Sequence, residues 1–98
     1  MRYLKIAEIE FDEAVAWYRA RSRSVARHFN QEVKIVERLL LEHPRIGKCV
    51  ELDARSLCVN DFPYTLIYAI EKHEIVVVAV AHQSRRPGYW IDRLREIH

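Results

Sequence analysis

The chain has 98 residues, half of them apolar, enough to bury one core as a single domain over residues 1–98 without disulfide or metal staples. Its 16 Lys and Arg against 14 Asp and Glu leave a formal charge of +2, too small for bulk charge to mark a nucleic-acid binder. No apolar run approaches the roughly 20 residues of a membrane span. Cys49 and Cys58 lack C-x-x-C spacing and no leader-like segment precedes them, so free thiols in a cytoplasmic protein are expected.

The first element in chain order is a short strand within Arg2 to Ile6, where Tyr3 and Lys5 alternate with Leu4 and Ile6. From Ala7 the period changes. Phe11, Ala14, Val15 and Tyr18 fall at i, i+3, i+4 and i+7, one face of a helix. Glu8, Glu10, Asp12 and Glu13 crowd its first turns and Arg19 and Arg21 close it, an order that complements the helix dipole. These carboxylates are expected on a solvated helix face.

Arg21-Ser22-Arg23-Ser24 interrupts the pattern, and Ser22 or Ser24 is placed to cap a second helix. That helix runs to about His43 with Val25, Phe29, Val33, Val36 and Leu40 on one stripe, widened by Leu39. Pro44 stops it, because a proline pushes the preceding residue out of helical space. The short connector makes the two helices an antiparallel hairpin with one apolar face to bury.

After Pro44-Arg45-Ile46-Gly47 the period becomes two. Strands are predicted at Cys49 to Leu52, Arg55 to Val59, Phe62 to Ile70 and Glu74 to Ala81, with a turn at Glu71-Lys72-His73. Tyr64, Leu66, Tyr68 and Ile70 share one face of the third and Thr65, Ile67 and Ala69 the other. Both faces are apolar, which suits a central strand. Helices segregated ahead of sequential strands read as an α+β fold: an N-terminal strand and helical hairpin on a mainly antiparallel sheet of about four strands. A short C-terminal helix follows, with Trp90, Leu94 and Ile97 on one side and Tyr89, Arg93 and Glu96 on another. The apolar side either packs on the domain's own core or serves as an arm that docks on a partner.

The last predicted strand runs directly into His82-Gln83-Ser84-Arg85-Arg86-Pro87-Gly88-Tyr89-Trp90, delivering an imidazole, two guanidiniums and two aromatic rings to one sheet end. Metal-free cleavage of RNA by its own 2′-hydroxyl needs a base, a cation for the phosphorane oxygens and an acid for the leaving oxygen. His82 is a candidate base or acid, Arg85, Arg86 or Arg55 a candidate phosphate holder, and Tyr89 a candidate for stacking or protonation. The bland alternative is a basic connector before a small amphipathic helix. With only Gly47 and Gly88, no glycine-rich phosphate loop is possible and no nucleotide cofactor is expected. The five histidines are scattered, none at i+4 from another, so no metal is expected. No G-x-S-x-G elbow supports serine hydrolysis.

One ordered series spans nearly the whole chain: Phe11-x-x-Ala14-x-x-x-Tyr18, Pro44-x-x-Gly47, Arg55, Phe62-Pro63-Tyr64-x-x-x-Tyr68, and Ala81-His82-x-x-Arg85-x-Pro87-x-Tyr89-Trp90-x-x-Arg93. This series resembles the RelE/ParE superfamily. The resemblance implies the toxin of a type II toxin–antitoxin system, associated with plasmid stabilisation and held inactive by a cognate antitoxin in a hetero-oligomer. Two activities occur in that superfamily: RelE-like members cut messenger RNA on the ribosome, and ParE-like members poison DNA gyrase.

By the same resemblance, RelE-like nucleases carry an arginine where this chain has Thr65 and a second where it has Gln83, with Arg85 close by. Tyr89 aligns with a nuclease tyrosine and His82 with a basic position. The resemblance therefore implies a growth-inhibiting toxin leaning toward gyrase. The alternatives are a ribosome-dependent endoribonuclease, with His82, Arg85 and Tyr89 as its catalytic set, and a non-toxic module that only binds antitoxin. Arg55, Arg86, Trp90 and Arg93 are the expected binding residues, with the C-terminal helix and Trp90 on the docking surface. Removal of Pro87 to His98 is then expected to leave a folded core.

Overall fold

A computed structural model describes residues 1–97. The elements are β1 (Arg2–Tyr3), α1 (Lys5–Arg19), α2 (Arg23–Glu42), β2 (Lys48–Cys49), β3 (Arg55–Cys58), β4 (Tyr64–Glu71) and β5 (Glu74–His82). Short 3-10 helices cover Glu51–Asp53 and Ile91–Glu96. The strands form one sheet of order β1-β5-β4-β3-β2. β1 runs parallel to β5 and the other pairs are antiparallel. The α+β architecture is the expected one, with five strands instead of four because β1 joins the sheet.

Several boundaries move for physical reasons. β1 stops at Tyr3 because the chain turns into α1 at Lys5, two residues before the apolar helical stripe begins. Ser22 is the cap of α2, its Oγ accepting a hydrogen bond from the Val25 amide at 3.3 Å. Val25 itself, predicted on the buried stripe, is exposed, and Ala26 is buried in its stead. The strand predicted at Cys49 to Leu52 is only Lys48–Cys49, since Leu52 and Asp53 take positive φ angles and turn the chain toward β3. The β4–β5 turn is tighter than the predicted three residues. Glu71 pairs with Glu74, leaving Lys72 and His73 as a two-residue loop, both at positive φ. A two-residue hairpin needs that backbone to match strand twist, although neither residue favours it.

The helical hairpin lies on the β4 face carrying Tyr64, Leu66 and Tyr68. Tyr18, Phe29, Phe62 and Tyr64 meet there with ring centroids 5.1 to 6.4 Å apart. Leu66, Ile67, Tyr68 and Ala69 are all buried, so β4 is central as predicted. Trp90 and Leu94 join the same core as Phe29, Leu40 and Val76 to Val80. The C-terminal apolar stripe is therefore core and not a free docking arm, so removal of residues from Pro87 onward takes Trp90 and Leu94 out of that core.

The 44–47 loop is tied down from the sheet. The Tyr68 hydroxyl donates to the Pro44 carbonyl at 2.7 Å and accepts from the Gly47 amide at 2.9 Å. Arg55 Nη1 donates to the carbonyls of Arg45 and Gly47 at 3.0 and 2.9 Å. Gly47 is required by this approach: a Cβ there would lie 2.6 Å from the Tyr68 hydroxyl oxygen and 2.9 Å from the Ser56 carbonyl. Cys49 and Cys58 are free and exposed.

Candidate functional site

An open groove of about 740 Å³ lies between the sheet face that carries Ser56, Thr65, Ile67 and Ala81 and the segment His82 to Ile91. β5 ends at His82, and hydrogen bonds from the Arg85 amide to the His82 carbonyl and from the Tyr89 amide to the Arg86 carbonyl fold the following residues back over the groove. His82, Gln83, Arg85, Arg86, Tyr89 and Trp90 all line it. The residues of this stretch thus line one groove. A second cleft of about 410 Å³ lies toward α1, walled by Trp17, Tyr18 and Tyr64, and His82 and Arg85 border both.

Several side chains in the groove are already engaged. His82 Nδ1 accepts a hydrogen bond from the Ser84 amide at 3.0 Å, so a neutral ring carries its proton on Nε2, where it donates and does not accept. The His82 ring stands edge-on to Tyr64, centroids 5.0 Å apart. The Arg85 guanidinium lies over the Tyr89 ring at 3.9 Å, a cation–π stack that holds it at the groove rim. Arg86 is exposed on the same rim.

The anchor beneath is Glu10, which the sequence reading assigned to a solvated face. Its carboxylate accepts the Tyr89 hydroxyl at 2.8 Å, the Val80 amide at 3.0 Å, and Arg93 Nη1 and Nη2 at 2.8 and 2.9 Å. Glu10 and Arg93 side chains are each only 11% exposed. Burial alone would raise the Glu10 carboxyl, but the hydrogen bonds from Arg93, Tyr89 and Val80 together hold it below the usual carboxylate range. Tyr89 moves the other way: burial pushes its phenol up, and the carboxylate of Glu10 pushes it further. The Tyr89 proton is therefore committed to Glu10. In the folded helix Glu10 lies three residues after buried Ala7 and four before buried Ala14, on the inward side of α1.

Glu10 and Arg93 also complete the sheet. β1 pairs only with Val76 and Val77, and the Leu4 amide reaches the Val77 carbonyl at 2.9 Å before the chain leaves as α1. The next free backbone groups on that edge of β5 are met by side chains: the Val80 amide by Glu10 and the Val78 carbonyl by Arg93 Nη1 at 3.1 Å. Unpaired edge groups would otherwise be buried at a cost or left as a template for another strand.

The remaining predicted binding residues divide. Arg86 faces the groove. Arg55 does not line it, because its guanidinium holds the 44–47 loop. Trp90 borders the groove but is only 5% exposed, and Arg93 is bound to Glu10. Thr65 and Gln83 both line the groove. Among the described residues no helix is long and apolar enough to cross a membrane.

A helical hairpin laid on a mainly antiparallel sheet, with a basic groove folded back from the last strand, defines a class of small α+β proteins. Its fold is shared by a solved structure described as the chromosomal ParDE toxin–antitoxin system from P. aeruginosa. The TM-score is 0.71 at 15% identity, over 83% of this chain and 91% of that chain. Among curated proteins, none matches the chain significantly. The family model of the ParE toxin of the type II toxin–antitoxin system, parDE, matches residues 1–87, and the chain belongs to that family.

Proposed function

We propose that this chain is a toxin neutralised by a cognate antitoxin, and that it acts by binding DNA gyrase and not by cutting messenger RNA. The observation that carries the choice is the engagement of Tyr89. Its hydroxyl is hydrogen-bonded to Glu10 and its proton is held more firmly than in a free phenol, so it is a poor acid for a leaving oxygen. Thr65 and Gln83, which line the groove where the nuclease resemblance calls for arginine, supply no cationic charge for a phosphorane. What the groove does offer is a rim of Arg85 and Arg86 with an aromatic ring beneath, suited to grip an anionic surface.

The antitoxin reading is supported by family membership and by a structural neighbour described as a ParDE toxin–antitoxin system. A ribosome-dependent endoribonuclease is the second reading. It is favoured by His82 and Arg85 bordering the same groove, with Nε2 of His82 as donor. A non-toxic antitoxin-binding module is the third.

Controlled expression in bacteria tests the class: growth arrest, rescued by a co-expressed cognate antitoxin, is expected, and normal growth at verified protein levels overturns both toxic readings. Purified protein assayed for gyrase supercoiling and for ribosome-programmed mRNA cleavage tests the target. Inhibition of supercoiling without cleavage is expected. Cleavage with intact gyrase activity transfers the assignment to the nuclease, in which case Arg85→Ala and Tyr89→Phe each reduce it.

A further inference from the structure

Away from the groove, a cluster of metal-ligating side chains plays no part in the function proposed above. His28 and Glu32 stand one turn apart on the same face of α2, and Asp61 rises to meet them from the turn between β3 and β4. His28 Nε2 lies 3.2 Å from Asp61 Oδ2 and 3.6 Å from Glu32 Oε2. One ligand atom from each residue lies within 4.8 Å of the other two. We propose that His28, Glu32 and Asp61 form a binding site for a first-row divalent transition metal, zinc foremost, that clamps α2 to the β3–β4 turn.

The spacing fits such an ion. Bonds of ~2.1 Å to nitrogen and oxygen at tetrahedral angles put neighbouring ligand atoms ~3.4 Å apart, and the two measured edges at His28 bracket that length. The third edge, between the two carboxylates, is no longer than 4.8 Å.

Charge points the same way. Two carboxylates face one imidazole, and among the described residues neither has another hydrogen-bond or ion-pair partner. The Glu32 side chain is only 15% exposed to the water that would screen its charge. A divalent cation with a neutral imidazole brings the three ligands to balance. In the bound form Nε2 presents its lone pair to the ion and the ring proton sits on Nδ1. One nitrogen and two oxygens suit zinc, cobalt or nickel, and three protein ligands leave positions for water.

The site is also braced. The His28 ring packs edge-on to Phe62 with centroids 5.1 Å apart, and Phe62 packs on Phe29 in the core. Asp61 holds positive φ, which brings its carboxylate back toward α2. The histidines are unpaired in sequence, and this site uses instead a His-x-x-x-Glu pair and a carboxylate 29 residues further on.

Titration calorimetry and thermal melting of the full chain with zinc chloride or cobalt chloride, after treatment with a chelator, test the assignment. One ion bound per chain and a rise in melting midpoint of roughly 5 °C are expected. His28→Gln should weaken binding at least about tenfold, as should Asp61→Asn, which keeps a residue that tolerates positive φ and so separates lost ligation from lost folding. No heat and no shift at millimolar metal overturns the proposal. So does undiminished binding in both variants, or a thiolate-to-cobalt charge-transfer band that puts the ion on Cys49 or Cys58.

Discussion

Glu10 and Arg93, 83 positions apart in sequence, form a bidentate ion pair with Nη1 2.8 Å from Oε1 and Nη2 2.9 Å from Oε2. The pair joins three parts of the chain, since Glu10 lies on α1, Arg93 in the C-terminal segment, and both bond to the backbone of β5. Arg93→Ala is expected to lower stability by about 3 kcal/mol, because it strands a largely buried carboxylate. Glu10→Ala should cost a similar amount, and the double variant less than the sum of the two. Urea denaturation of the four proteins measures the coupling.

The same contacts set a pH dependence. The folded-state pKa of Glu10 lies below its unfolded value, so its contribution is complete above the ordinary glutamate value of about 4.3 and is lost as pH falls through the lower, folded one. The stability difference between the native chain and Glu10→Gln should accordingly be largest near neutrality and shrink in that acid window. Tyr89 and Tyr3 act at the other end, for burial and bonds to Glu10 and Glu37 raise both phenols. Their contribution is intact below the ordinary tyrosine value of about 10 and fades as pH rises beyond it. Denaturation midpoints measured from acid to alkaline pH check both signs.

Gly47→Ala should destabilise the fold by roughly 1–3 kcal/mol, because the new methyl meets both the Tyr68 hydroxyl and the fixed Ser56 carbonyl. Tyr68→Phe removes the hydroxyl and with it the two hydrogen bonds that hold the 44–47 loop, but it keeps the ring Cε1 that would lie 2.8 Å from the new methyl. A Tyr68→Phe background should therefore leave most of the cost of Gly47→Ala in place, since the ring carbon and the Ser56 carbonyl still crowd the methyl. Chemical denaturation of the double variant reads this directly.

His73→Gly should stabilise the chain by roughly 0.5–1 kcal/mol, since His73 holds a φ of 68° in a two-residue turn that glycine adopts without strain. An unchanged or lowered melting midpoint would argue against strain at this turn.

Trp90→Ala should cost about 3–5 kcal/mol, as the ring is buried in the core. Truncation before Pro87 removes Trp90, Leu94 and Arg93 together. The shortened chain is expected to lose its near-ultraviolet circular dichroism and cooperative unfolding, so its failure to inhibit any target reports folding and not docking.

Periodicity and turn chemistry by themselves determined the helical hairpin, the central place of β4, the α+β class, and, through an ordered motif series, the family. These follow from local preferences and from one apolar face per element, which a linear pattern records. The Pro44-x-x-Gly47, Arg55 and Tyr68 signature was legible as a motif, while its role in holding a loop emerged only from where β3 and β4 carry their side chains. The direction of the Glu10 side chain was decided by tertiary structure alone. A carboxylate within an acidic run looks solvated until the fold brings it an arginine, a tyrosine and an unpaired strand amide from 70 to 83 residues away. Burial of a charge is a property of its partners, and partners brought from such distances leave no local trace. For the same reason His82, Arg85 and Tyr89 were readable as neighbours in one basic stretch. Which of their atoms are free, and which are already held by Ser84, by each other and by Glu10, was set by the folded chain.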